Sequence, residues 1–216
     1  MRSRSRRPNL GHVSDHSHKL APDDFIRLKV KAELRKRLRG VRKTTPAEAC
    51  TVRSLAIVAR LEQHEAVLGA KRVALFWPIE ARHEVDLRTF DTSLRARGVR
   101  IAYPAIDADT NVMTLRFVDD LGALGEKGFG FAEPGPDAPE ATELDVIIVP
   151  AIAADPTGHR IGYGAGYYDR TLPRYAPPAV SIAVVYDWQL VAEVPAIETD
   201  VRCAWVVTDT RTLDAT

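Results

Sequence analysis

Residues 144–170 read LDVIIVPAIAADPTGHRIGYGAGYYDR. The stretch opens on an apolar run, VIIV at 146–149, with no polar residue alternating through it. Such a run predicts a strand buried on both faces, the kind that builds parallel sheets covered by helices. Working outward, RVALFW (72–77), AVSIAVVY (179–186) and AWVVT (204–208) repeat the pattern, and VRIAYP (99–104) is strand-like. VMTLRFV (112–118) alternates as a half-exposed strand does. Between them VDLRTFDTSLRARG (85–98) reads as a helix closed by Gly98. Strands alternating with helices give an α/β fold in one domain, with a largely parallel sheet and helices on both faces.

An N-terminal helical pair precedes the sheet. Val30, Leu34, Leu38 and Val41 recur at helical spacing, and Lys31, Arg35, Arg39 and Arg42 follow the same period displaced by one residue. This predicts an apolar stripe packed inward and a basic stripe beside it, ordinarily a solvated face. Thr45-Pro46-Ala47-Glu48 predicts the second helix, with Thr45 as N-cap, Pro46 in the first turn and Glu48 completing a capping box.

Composition narrows the function classes. At 216 residues the chain can bury one sizeable core. A net charge of +1 argues against bulk nucleic-acid binding, so functional charge must be local. Cys50 and Cys203 stand far apart and form no metal-binding pattern, which suits a reducing, cytoplasmic setting. No uncharged apolar run approaches the roughly 18 residues of a membrane helix. Residues 1–22 carry arginines, serines and His12, His16 and His18 without an apolar segment, and are expected to be a disordered basic tail around the folded unit, 23–216. Gly122, Gly125 and Gly128, with Pro134, Pro136 and Pro139, predict an irregular connection.

The strand at 146–149 leads to three glycines, Gly162, Gly164 and Gly166. They form GxGxG, not the GxGxxG of a dinucleotide fold, and residues 150–161 separate them from their strand. A Walker loop is absent. Two readings stay open on residues alone, a structural turn and an anion nest. In the second, backbone N–H groups at Gly164 and Gly166, a helix beginning near Tyr167 and the guanidinium of Arg160 would face phosphate. Asp169 beside a phosphate would need a cation between them, and magnesium suits one or two carboxylates plus phosphate oxygens.

GHRIGYGAGYYDR (158–170) resembles the signature of the 5-formyltetrahydrofolate cyclo-ligases. KAELRKRLR (31–39), FWPIEARHEVD (76–86), FGFAEP (129–134) and AVVYDWQLVAEVPAIETD (183–200) resemble the family's other segments, in the same order. The segment between Pro78 and Glu84 is longer than the family pattern, and Thr199 stands where many members have histidine. The resemblance implies that ATP phosphorylates the formyl oxygen of 5-formyltetrahydrofolate. N10 then attacks the activated carbon, and phosphate leaves as the ring closes to 5,10-methenyltetrahydrofolate. Positioning and charge stabilisation carry such a reaction, with no protein nucleophile required.

Residue by residue, the resemblance implies ATP-phosphate contacts from Lys31 and Arg35 and a loop around the triphosphate made by Arg160, Ile161, Gly162, Tyr163, Gly164, Ala165, Gly166, Tyr167 and Tyr168. Arg160 and Tyr167 are the implied catalytic residues, and Asp169 and Asp200 the implied magnesium ligands. Glu84 is implied to bind the pterin, with Trp77, Met113, Phe117 and Tyr167 lining the folate site. The expected partners are ATP, Mg2+ and a reduced folate, with a monomeric chain and no membrane or nucleic acid. The same ATP cradle acting on another substrate, or a binding regulator that keeps the pockets, remain the alternatives.

Overall fold

The computed structural model describes residues 21–107, 109–126 and 132–216. Residues 1–20 of the expected tail, Gly128 and the first part of FGFAEP (129–131) lie outside the described residues. Five helices are described, α1 (Pro22–Thr44), α2 (Ala47–Glu62), α3 (Glu65–Leu68), α4 (Arg88–Ala96) and α5 (Tyr167–Thr171). The described strands are β1 (Arg72–Ala74), β2 (Arg100–Asp107), β3 (Val112–Phe117), β4 (Leu124–Glu126), β5 (Ala132–Pro134), β6 (Val146–Pro150), β7 (Ala153–Ala154), β8 (Arg160–Ile161), β9 (Val180–Val184), β10 (Trp205–Val207) and β11 (Thr212–Asp214).

Among the described residues the main sheet runs β11-β10-β9-β6-β1-β2-β3. Its inner pairs are parallel, and β3 and β11 close the edges antiparallel. The chain leaves β1 for β2 and β3 on one side, then returns to β6 on the other. Strand order therefore reverses between β1 and β6, where open α/β sheets bind ligands beyond the strand carboxyl ends.

Apolar runs made the strands, and both faces of the sheet show why. Val146 and Ile148 of β6 pack with Ile57 and Leu61 of α2 and Phe90 and Leu94 of α4. Ile147 and Val149 point the other way, onto Leu172, Tyr175, Ala141 and Leu144. Among the described residues, helical cover on this second face comes from the short α5 and a 3-10 turn at Leu172–Arg174, with irregular chain beside it. β3 alternates buried and part-exposed residues, as the edge position requires.

Two local expectations are corrected. Thr45 is not the N-cap of α2: it ends α1, its hydroxyl donating to the Val41 carbonyl at 2.9 Å. Pro46 takes the N-cap position and no side chain caps the helix. With α1 running to Thr44, the hydroxyl is spent on the helix behind it. The extended ψ of 131° at Thr45 is the one favoured before proline. The inward face of α1 also differs. Val30 and Val41 are exposed, whereas Lys31 and Arg42 are 6% and 4% exposed. Only Leu34 and Leu38 of the apolar stripe meet a core, against Ile152, Ala153, Ile161 and Val194. α1 lies over the β7–β8 hairpin, and its basic stripe faces the glycine loop.

Candidate active site

The interval between β6 and the glycines folds as the β7–β8 hairpin, which delivers residues 162–166 beneath α1. Gly158 belongs to the hairpin turn. Asp155, fully buried, accepts from the N–H groups of Thr157, His159 and Val194, and Gly158 has φ 85°. A β-carbon there would overlap the Cys203 carbonyl oxygen. Gly164 and Gly166 also have positive φ, 106° and 67°, and Gly166 caps α5. No described residue accepts from the backbone N–H groups of 163–166. The structural-turn reading thus holds at Gly158. The loop at 163–166 keeps its donors free, as an anion nest requires.

α1 supplies charge to this loop. Arg35 Nε donates to the Gly162 carbonyl at 2.8 Å, and its guanidinium lies against Gly164. Burial and then the neighbouring Arg39 lower the Arg35 guanidinium from its ordinary value. Among the described residues no carboxylate pairs with Arg35, which leaves a half-buried positive charge beside free N–H donors. Lys31 is instead paired with Asp200.

Asp169, the residue that called for a cation, has one in the protein. Its Oδ1 accepts from Arg160 Nη2 at 2.9 Å and from the Val201 N–H at 3.2 Å, while Arg160 Nη1 donates to the Val201 carbonyl. Arg160 is therefore a buried tie between β8, α5 and the segment at 200–201. Asp200 follows the same logic, its Oδ2 taking Lys31 and the Ile197 N–H. Each carboxylate keeps one oxygen without a described partner, Oδ2 of Asp169 and Oδ1 of Asp200. Among the described residues no group of three or more His, Cys, Asp or Glu converges on a metal position. Two oxygen donors with phosphate and water completing the shell are the set that suits magnesium, so the residues fit that ion.

Glu84 arrives from the other side of the switch point. The longer segment after β1 forms a 3-10 turn at Glu80–Arg82, and His83 adopts φ 49° to reverse the chain. The buried Glu84 then accepts from the Ile79 N–H at 2.9 Å and from the Tyr163 hydroxyl. Arg42 donates to the same hydroxyl and lies 3.9 Å from Glu84. Trp77, half-buried, stands edge-on to Tyr103 in that post-β1 segment. Met113 lies at the start of β3, where its carbonyl accepts from Thr171 of α5. Tyr167 donates to Asn111 Oδ1 at 2.7 Å, and Arg170 covers the Tyr167 ring. Tyr168 is part-buried behind the loop, and burial raises its phenol.

Phe117 is not brought to this cluster. It pairs with Ala102 at the far end of β3, packs in the second core and stacks under Arg100 at 4.0 Å. Arg42, Arg82, Asn111 and Arg170 join the site without having been singled out for it. Arg42 had a signal, its place on the basic stripe. Asn111 and Arg82 had none beyond lying in connections.

The model of the 5-formyltetrahydrofolate cyclo-ligase family matches residues 27–209. The chain belongs to that family. It is 47% identical over 93 residues to the 5-formyltetrahydrofolate cyclo-ligase of Mycolicibacterium smegmatis, covering 42% of this chain and 48% of the relative. The Haemophilus influenzae cyclo-ligase is 28% identical over 138 residues, 61% of this chain and 72% of the relative. The NMR structure of Aquifex aeolicus 5,10-methenyltetrahydrofolate synthetase superposes with a TM-score of 0.74 at 28% identity, covering 86% of this chain and 93% of that one. No described helix is long and apolar enough to cross a membrane.

Proposed function

We propose that this chain is an ATP-dependent, magnesium-assisted 5-formyltetrahydrofolate cyclo-ligase working as a cytoplasmic monomer. ATP transfers its terminal phosphoryl group to the formyl oxygen. N10 attacks the activated carbon, and phosphate leaves with that oxygen as 5,10-methenyltetrahydrofolate forms. The observation that carries this reading is the meeting of Glu84 with the glycine loop at the β1/β6 switch point, under Arg35, with which no described carboxylate pairs.

The backbone of 161–168 and the side chain of Arg35 hold the triphosphate, with Lys31 adjoining. Arg160 fixes Asp169 and the 200–201 segment, so its effect on charge at the transferring group passes through the loop it braces. Asp169 and Asp200 would hold magnesium, which supplies charge neutralisation to the phosphates when bound. Glu84 retains acceptor capacity for a pterin N–H, because a carboxylate has about four acceptor positions and Ile79 and Tyr163 take two. Trp77 and Met113 flank the folate, and Tyr167 stands between formyl group and phosphate. Phe117 supports β3 from the core.

The test is direct. Protein, 5-formyltetrahydrofolate and Mg-ATP should generate the absorbance of the methenyl product, with one ADP per turnover. Absence of product at high enzyme concentration would overturn the assignment. Glu84→Gln should raise the KM for folate about tenfold or more, given roughly 1.5–3 kcal/mol for a hydrogen bond to a charged group. A non-folate substrate would be indifferent to that change.

A further inference from the structure

We propose that Arg42, Tyr163 and Glu84 form a tether that couples the two substrate sites, so that occupancy of either raises affinity for the other. The proposal rests on the reading of the crevice as a joint ATP and folate site. Tyr163 is the residue between Gly162 and Gly164, and its hydroxyl has two partners at once. It accepts from Arg42 Nη2 and donates to Glu84 Oε1. The other Glu84 oxygen is fixed by the Ile79 N–H at 2.9 Å. Arg42 grips the same segment a second time, through its carbonyl and His83 Nδ1 at 3.1 Å. On the loop side, Arg35 holds the Gly162 carbonyl at 2.8 Å. The Tyr163 ring lies under Arg82 at 4.7 Å and near Arg39 at 5.7 Å.

The consequence is mechanical. A loop with positive φ at Gly164 and Gly166, and N–H groups without a described acceptor, is intrinsically permissive. Its one long side chain is anchored to the pterin-binding carboxylate. Closing the loop on phosphates fixes Tyr163, and a fixed Tyr163 holds Glu84 in place. A pterin bound to Glu84 restricts the loop by the same path in reverse. Equilibrium coupling of this kind is reciprocal, and factors of about 5–150 are usual. Arg42 and Tyr163 are thus positioning residues.

The test is calorimetric titration of a non-hydrolysable Mg-ATP analogue into the protein, alone and saturated with 5-formyltetrahydrofolate. The wild type should bind the analogue about tenfold tighter with folate present, and the reverse titration should return the same factor. In Tyr163→Phe, which keeps the ring and its stacking, the factor should fall towards one, and Arg42→Gln should follow. The factor is a ratio within one variant, so changes in either binary affinity or in stability cancel from it. Full coupling in Tyr163→Phe, or none in a wild type that binds both ligands, overturns the tether. A wild type that binds the analogue but no folate removes the functional reading, and the tether with it.

Discussion

Gly158 and Gly162 belong to one motif and answer to different constraints. Gly158 sits at φ 85° with the Cys203 carbonyl where a β-carbon would go, whereas Gly162 has open space and no positive φ. Gly158→Ala should cost more than about 2 kcal/mol in urea unfolding, and Gly162→Ala about 0.5 kcal/mol or less. Equal losses would contradict the division of the motif into a structural turn and a ligand loop. Arg35 offers the complementary case, a cation with a carbonyl partner and no described carboxylate. Arg35→Gln should raise the KM for ATP about tenfold or more, since a charge-assisted hydrogen bond is worth roughly 1.5–3 kcal/mol, with little change in melting temperature. An unchanged KM would remove Arg35 from the phosphate site. At this scale the sequence made the positive-φ glycine loop legible, because glycine spacing is a backbone property. It did not show that Asp169 also pairs with Arg160. Only the hairpin brings those two together, and local spacing does not encode that.

Among the elements, α1 was the most misleading. Its periodicity was right, yet the inward face mixes the two stripes, Lys31 and Arg42 being buried along with Leu38, because what lies beneath is a glycine loop as well as a core. The capping box failed for a related reason, α1 running on through the residues that would have preceded the cap. α3 carries a pH-dependent element that no pattern announced. His64 is its N-cap, Nδ1 accepting from the Ala66 N–H at 3.2 Å, with the ring buried edge-on to Trp205 and Nε2 without a described partner. Burial lowers its imidazole below the ordinary value, against a smaller raising effect from Glu65. The unfolded chain therefore takes up the proton at higher pH than the folded one. This contribution to stability is complete above the unfolded value, about 6.5, and is lost as pH falls below it. His64→Asn keeps a capping side chain, and it should lose less melting temperature between pH 7 and pH 5 than the wild type. Parallel slopes would assign the acid sensitivity elsewhere.

Over the whole molecule, the parallel sheet was legible because strands buried on both faces must be apolar throughout. The strand order was not, since no residue pattern says that β6 returns to the far side of β1. That reversal places the segment carrying Trp77 and Glu84 against the glycine loop, and motif order alone could not show the contact. The proposed reaction is phosphoryl transfer to the formyl oxygen across this crevice. Its most direct measurement uses 5-formyltetrahydrofolate labelled with oxygen-18 in the formyl group, followed by mass analysis of the released phosphate. One labelled oxygen in each phosphate, per methenyl product formed, is the predicted result. Unlabelled phosphate, with the label recovered in water or formate, would contradict it.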